Sequence, residues 1–142
     1  MKTYLVCWLL LILSTACHQD DFCCVDPNNE IIDSWILFER GWSPGSGYNI
    51  DPVSADPPQT MEIRSNGRFT SNIQGLEKYQ YFAIIQDQQW EVLALFENRP
   101  PENPQLDKLE HSYIIEFQEN GTVRLYFRFC IEGCHLGLRK LN

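Results

Sequence analysis

The sequence has no hydrophobic run long enough to cross a membrane. Its longest uncharged apolar stretch is residues 5–13, which is nine residues, about half of the roughly 20 that a transmembrane helix needs. No later run is longer. We therefore expect no permanent transmembrane helix.

Basic residues are also scarce. The chain carries 11 Lys and Arg against 19 Asp and Glu, which gives a net charge of −8. A surface of this sign repels phosphate backbones and anionic lipid headgroups. We therefore expect no nucleic-acid partner, and attraction between charges cannot supply attachment to a membrane.

Motifs for nucleotide binding are missing as well. There is no phosphate-binding loop and no dinucleotide fingerprint. The three histidines, His18, His111 and His135, have no second histidine at ligand spacing, and no pair of acidic residues is marked as a catalytic couple. We expect a protein that is not an enzyme, with no catalytic residues, no metal and no cofactor.

The first 16 residues have the form of a secretory signal peptide. Lys2 is followed by the apolar stretch and then by small residues. Ser14-Thr15-Ala16-Cys17 resembles the lipobox of bacterial lipoproteins. The resemblance implies cleavage before Cys17, lipid on its thiol, and an anchor in the bacterial outer membrane, because several acyl chains together hold firmly. Ordinary cleavage after Ala16 without lipid is the alternative.

Residues 17–30 follow as an expected acylated tether. Asp20 and Asp21 make its beginning acidic, and residues 18–22 resemble the export signal of surface lipoproteins of Bacteroidota. That resemblance implies display at the cell surface. A solvated acidic tether that needs no receptor is the alternative interpretation.

Once Cys7 leaves with the leader and Cys17 carries lipid, four cysteines remain: Cys23, Cys24, Cys130 and Cys134. An oxidising compartment favours disulfides, and four cysteines allow three pairings. We favour Cys130–Cys134, because the intervening loop is short and Gly133 permits a tight reversal. A disulfide between the neighbouring Cys23 and Cys24 would strain the peptide that joins them. They could instead bond to a cysteine of the barrel or of another chain. A zinc site is not favoured, because Cys-x3-Cys lacks a second matching pair.

Residues 31–142 show the alternation of a β domain. Eight segments alternate or read as short strands: 31–40, 61–64, 69–73, 79–86, 90–97, 111–118, 122–129 and 138–141. Asn66-Gly67 and Asn120-Gly121 are hairpin turn signals, and no segment has convincing helical periodicity. The pattern predicts an all-β, eight-stranded antiparallel up-and-down barrel. A two-sheet sandwich is the alternative, and the short turns favour the barrel.

In the first strand, alternation places Trp35, Leu37 and Glu39 on one face and Ile36, Phe38 and Arg40 on the other. The next 20 residues, 41–60, are rich in Gly, Pro and Ser. A loop of this length in a compact domain is usually functional or disordered.

Trp42 and Tyr48 lie in this loop, and we expect them to form a lid over one mouth of the barrel and to contact a small apolar or amphipathic ligand. Most other aromatic residues are expected in the core, since an eight-stranded barrel can be filled by its own side chains. A filled interior and a ligand pocket both remain open.

Three segments together resemble the lipocalin-like (calycin) lipoproteins of Bacteroidota. They are Trp35-Ile36-Leu37-Phe38-Glu39, Asn66-Gly67-Arg68-Phe69 and Cys130-Ile131-Glu132-Gly133-Cys134. The resemblance implies a barrel with an internal apolar pocket, and an arginine of the last strand, here Arg139, packed over Trp35. It implies no agreed ligand. The alternative function is a cell-surface or envelope interaction module that meets another protein through its acidic face and proline-rich loops such as residues 98–106.

Overall fold

The computed structural model describes residues 25–26, 28–131 and 133–141. The signal peptide, the lipid on Cys17 and the pairing of Cys23 and Cys24 concern residues outside these ranges. At the start of the described chain, Val25 packs against the core and Ile31 is fully buried within it. The end of the expected tether is therefore part of the folded domain.

The described chain is all-β, and its only helical element is a single 3-10 turn, Leu106–Lys108. The strands are β1 Ser34–Trp42, β2 Asn49–Pro52, β3 Thr60–Ile63, β4 Phe69–Ser71, β5 Tyr81–Asp87, β6 Trp90–Phe96, β7 Ser112–Phe117, β8 Val123–Phe127 and β9 His135–Lys140. Every pairing between them is antiparallel.

Eight of these strands follow one another around a single sheet in the order β4-β3-β1-β9-β8-β7-β6-β5. The two ends of this path meet, because Phe69 N donates to Gln80 O at 2.9 Å and Phe82 N donates to Gly67 O at 3.1 Å. The strands form one closed meander rather than two sheets. The predicted eight-stranded up-and-down barrel is confirmed.

The ninth strand, β2, corrects the prediction that residues 41–60 form one loop. β1 extends to Trp42, and β2 pairs with its end from Glu39↔Pro52 to Trp42↔Asn49. All four residues of β2 are exposed, so no apolar alternation marks the strand in the sequence. It is held by backbone pairing with β1, which is why the pattern of side chains did not reveal it.

A β-bulge corrects the predicted faces of β1. Leu37 pairs with Leu138 but Glu39 pairs with Gly137, so Phe38 is an extra residue on this strand. The extra residue reverses the alternation beyond it. Arg40 therefore lies opposite the core residue Leu136 on the inner face. Glu39 turns to the outer face, which is the reverse of the expectation.

The barrel has two different ends. Residues 64–68, 88–89 and 118–122 connect the strands at the end that we call the closed end, where Gly67 and Gly121 adopt the positive φ that the Asn-Gly signals predicted. The β1–β2 turn, residues 43–48, and the longer connections 72–80, 97–111 and 128–134 lie at the other end. We call that end the open mouth. Between the two ends the interior is filled by hydrophobic side chains, including Trp35, Phe69 and Phe82.

Trp35 closes the interior at the closed end. It is fully buried, and its indole Nε1 donates to Ile31 O at 2.9 Å. The expected arginine does not cover it, because Arg139 pairs opposite Ile36 and is exposed. The residue opposite Trp35 is Lys140, whose Nζ lies 5.6 Å from the ring centroid. The implied role of Arg139 is therefore wrong, since the register places Lys140 on the tryptophan's face.

Candidate ligand site at the open mouth

A cleft of about 390 Å³ opens at the mouth between β1, β2 and the neighbouring strand ends. Its principal side chains are Arg40, Trp42, Asp51, Tyr113, Phe127 and Leu136. This volume lies toward the lower end of the range for small-molecule sites, about 300–1,000 Å³. The cleft can hold a small ligand or one end of a longer one.

The apolar wall of the cleft comes from the barrel strands. Tyr113 of β7 pairs with Phe127 of β8, and their ring centroids are 5.5 Å apart. Leu136 of β9 continues this wall and belongs to the core. Inward alternation along these strands therefore supplies a continuous surface that runs from the packed interior to the mouth.

Arg40 supplies a positive charge to the cleft. The bulge at Phe38 turns its side chain to the inner face, where its Nη2 donates to Gln59 Oε1 at 3.1 Å. Within the described residues Arg40 forms no ion pair. An arginine has five N–H donors in a planar fork; the bond to Gln59 uses one of them, and Arg40 lines the cleft.

Trp42 and Asp51 form the outer wall. Trp42 Nε1 donates to Asp51 Oδ2 at 2.6 Å, and the tryptophan is 43% exposed. Both residues line the cleft. The structure thus places Trp42 at the mouth, as the sequence predicted.

Tyr48 does not lie over the mouth, which corrects its expected role as a lid. Its hydroxyl contacts His135 Nδ1 and its ring stacks on the imidazole with centroids 5.7 Å apart. His135 pairs opposite Gly41, on the outer face that Glu39 also occupies. The phenol therefore fastens the β1–β2 hairpin to the outside of β9. Because the bulge interrupts the alternation of β1, the sequence pattern did not predict the contact between Tyr48 and His135.

A chain of polar contacts continues inward from Tyr48. His135 has a fully buried side chain, and its Nε2 lies 3.0 Å from Glu39 Oε1, which also accepts from Arg124 Nε at 3.0 Å. The carboxylate can only accept, so His135 donates to it from Nε2, and Nδ1 of the same ring faces the hydroxyl of Tyr48. Burial raises the pKa of Tyr48 and keeps its phenol protonated for this role.

Two strand glycines make room for this polar chain. A Cβ on Gly41 would overlap the imidazole of His135, and a Cβ on Gly137 would overlap the side chain of Glu39. A glycine inside a strand often marks such a close approach. That signal, available in the sequence, could have located the Tyr48–His135–Glu39 contacts.

His111 lies on the opposite side of the mouth. Its Nε2 is 2.8 Å from Tyr113 Oη, and its ring stacks on Tyr79 with centroids 4.8 Å apart. Burial, and then the positive charge of Lys78, lowers the pKa of His111 below its ordinary 6.5. The imidazole is therefore neutral at pH 7 and adds no charge to the cleft. A second cleft, of about 450 Å³, adjoins His111 on the side of residues 95–99 and 108–110.

The predicted disulfide is confirmed and borders the cleft. Cys130 and Cys134 are bonded, with their Cα atoms 5.6 Å apart, and Gly133 adopts a positive φ of 86° in the intervening loop. These two thiols are therefore not available to a metal. In the same connection, residues 128–134, Phe129 is 53% exposed and Ile131 is fully exposed.

No protein-family model matches the chain, and comparisons with curated proteins and with solved structures find no match. Over residues 25–26, 28–131 and 133–141 there is no helix long and apolar enough to span a membrane. The same ranges contain no group of three His, Cys, Asp or Glu side chains placed to hold a metal ion. The function must therefore be inferred from the mouth of the barrel.

Proposed function

We propose that this protein is an exported, lipid-anchored, lipocalin-like barrel that binds a small apolar or amphipathic ligand at its open mouth and catalyses no reaction. The observation that carries the proposal is the cleft of about 390 Å³ between Trp42 and the apolar wall. Arg40 and Asp51, an oppositely charged pair among its lining residues, stand on the β1–β2 hairpin. This combination of apolar and charged side chains suits an amphipathic molecule.

The size of the cleft decides which part of a ligand matters. An alkyl chain that buried about eight methylenes there would gain about 6 kcal/mol, whereas micromolar affinity requires about 8 kcal/mol. An apolar chain alone therefore falls short once its lost freedom is counted. Polar contacts at the rim must add to the affinity, so an amphipathic ligand is favoured over a purely apolar one.

The proposed location rests on the sequence. The leader and Ser14-Thr15-Ala16-Cys17 support a lipid on Cys17 and an anchor in the bacterial outer membrane. Mass spectrometry of the chain from its native membrane tests this proposal. The expected mass is that of a chain beginning at Cys17 with acyl groups attached. An unmodified chain beginning at residue 17 would contradict it.

Ligand binding can be tested by titrating the full chain, carrying Cys17→Ser, with decyl maltoside below its critical micelle concentration. We expect saturable binding by calorimetry. Trp42→Ala should abolish this binding or weaken its affinity at least fivefold. Trp90→Ala is the matched control, because Trp90 is 44% exposed but lies in β6 at the closed end. Equal binding by both variants, or no binding by the parent chain, would reject the proposed site.

A second candidate function is a surface module that binds another protein. Phe129 and Ile131 favour it, because both are exposed on the disulfide loop beside the mouth and large apolar side chains anchor protein interfaces. The net charge of −8 suggests a basic partner. Cross-linking in whole cells should capture one partner, lost on Ile131→Asp or on deletion of residues 98–106. Unchanged capture would exclude this candidate.

A further inference from the structure

Arg40 and Asp51 are cross-strand neighbours of opposite charge that do not bond to each other. They pair directly in the β1–β2 register and both line the mouth cleft. Residues directly opposite on one face have Cβ atoms about 5 Å apart, so an ion pair would be expected. The described residues contain no such ion pair.

Neutral partners explain why the two charges stay apart. The guanidinium of Arg40 donates to the amide oxygen of Gln59, and the carboxylate of Asp51 accepts from the indole of Trp42. Each contact fixes a charged group without neutralising it. The rim of the cleft therefore presents a positive and a negative group side by side.

We propose that the mouth cleft selects amphiphiles with a zwitterionic head group, whose anionic part binds Arg40 and whose cationic part binds beside Asp51 and over the ring of Trp42. The apolar chain of the ligand lies along Tyr113, Phe127 and Leu136. This inference rests on the proposed function, because it names the class of ligand that the same cleft takes.

The anionic half of the head group suits Arg40. Its planar fork can bind a phosphate or carboxylate through two donors at once, and the described hydrogen bonds use one donor, on Nη2. A purely anionic head group is disfavoured by the neighbouring Asp51. The two like charges would repel each other, more strongly where the cleft keeps water from screening them. The net charge of −8 adds to this penalty.

The cationic half suits Trp42 and Asp51. A cation over an indole face is attracted by the negative face of the ring, and the carboxylate beside that indole adds an attractive charge. A purely cationic head group would also meet the positive charge of Arg40, which repels it. His111 is neutral at pH 7 and does not alter this balance.

The same head-group chemistry can come from a dispersed molecule or from a bilayer. The described chain enters the barrel at the closed end, where Ile31 accepts the hydrogen bond of Trp35. Val25 is the eighth residue after Cys17, and eight residues reach at most about 29 Å. The test below therefore presents the zwitterion both as dispersed monomers and within vesicles.

The experiment compares four decyl amphiphiles, each below its critical micelle concentration, by calorimetry on the full chain carrying Cys17→Ser. They are decylphosphocholine, decyl phosphate, decyltrimethylammonium and decyl maltoside. We expect decylphosphocholine to bind at least tenfold more tightly than the other three. Arg40→Gln should move the preference to the cationic compound, and Asp51→Asn should move it to the anionic one.

The controls separate this inference from the proposed function. Arg139→Gln and Asp87→Asn remove charges outside the mouth and should change no affinity ratio, and circular dichroism confirms folding of each variant. If all four compounds bind equally, the zwitterion inference fails while the proposed function stands. If none binds, decyl maltoside included, the proposed function itself fails. Equal weakening of all compounds by Arg40→Gln and Asp51→Asn would also overturn the inference.

Vesicles of phosphatidylcholine and monomeric lysophosphatidylcholine identify the source of the head group. Binding to the monomer alone supports a dispersed ligand, and sedimentation with vesicles supports a membrane headgroup. Either result supports a zwitterionic head group, provided that Arg40→Gln and Asp51→Asn each reduce the observed binding. Binding to neither would overturn the inference.

Discussion

Gly41 and His135 are cross-strand partners packed so closely that a Cβ on Gly41 would overlap the imidazole ring. The absent side chain lets Tyr48 reach across β1 and contact His135. This packing fastens the β1–β2 hairpin, which carries Trp42 and Asp51, to the barrel. The shape of the mouth therefore depends on a contact made on the outer face.

Gly41→Ala should destabilise the protein by about 1–3 kcal/mol, because the added methyl overpacks a filled site. Urea unfolding followed by circular dichroism measures the change. Ser46→Ala, on an exposed residue of the same hairpin, is the control and should stay within about 0.5 kcal/mol of the parent. A Gly41→Ala variant as stable as the parent would show that His135 and Tyr48 can move aside.

Tyr48→Phe should loosen the β1–β2 hairpin while leaving the barrel intact. Loss of the hydroxyl removes one hydrogen bond to a buried imidazole, a cost of about 1–3 kcal/mol. Hydrogen exchange should quicken in residues 43–52 and remain unchanged in β7 and β8. Uniform protection across the hairpin in parent and variant would exclude the fastening role.

Stability should fall as the pH drops below about 6.5 because of His111. Its pKa is lowered in the folded protein, so the unfolded chain binds more protons between the folded pKa and the ordinary 6.5. The stabilising contribution is complete above pH 6.5 and is lost as pH falls through the lowered pKa. Urea midpoints measured from pH 5 to 8 should show this slope, and His111→Gln should reduce it. If stability changes with pH equally in the parent and in His111→Gln, the pH dependence comes from other groups.

Removing the disulfide with the pair Cys130→Ser and Cys134→Ser should cost about 2 kcal/mol, because the closed loop is short and constrains the unfolded chain little. The bond closes a sequence separation of 4. Thermal unfolding measures the loss, and alkylation of the parent chain should leave both cysteines unmodified until a reductant is added. Alkylation of the unreduced, unfolded parent at Cys130 would contradict the pairing.

Lys140→Met should destabilise the protein by about 1 kcal/mol, and Arg139→Met should have little effect. Lys140 Nζ lies 2.8 Å from Asp33 Oδ2 and over the ring of Trp35, contacts that together contribute about 1 kcal/mol at an exposed site. Arg139 projects outward. Urea unfolding of both variants measures the two losses of stability. A larger loss for Arg139→Met than for Lys140→Met would support the role that was expected for Arg139.

The barrel and its turns could be predicted from the sequence because they depend on local patterns. Alternation in β8, the Asn-Gly turns at Gly67 and Gly121, and the Cys130–Cys134 spacing each act within a few residues. Such signals reflect backbone preferences that hold in any surrounding structure. Trp42 was expected at the mouth because of the loop predicted for residues 41–60, and it lies at the mouth as the last residue of β1.

The site itself could be predicted only in part. One extra residue at Phe38 exchanges the faces of Glu39 and Arg40, and a bulge leaves no mark in the hydrophobic pattern. Likewise β2 is exposed at every residue, so backbone pairing with β1 alone defines it. The alternation therefore placed Glu39 on the face of Trp35 and Arg40 on the opposite face, whereas Arg40 is the residue that faces the mouth.

By itself the sequence determined the class of fold, the hairpin turns, the Cys130–Cys134 bond and the placement of Trp42 at one end of the barrel. Only the tertiary structure decided that Tyr48 contacts His135 on the outside, that Lys140 rather than Arg139 covers Trp35, and that Arg40 and Asp51 share the mouth. The physical reason is register. A shift of one residue between paired strands turns every later side chain to the other face, and pairing partners distant in sequence set that shift.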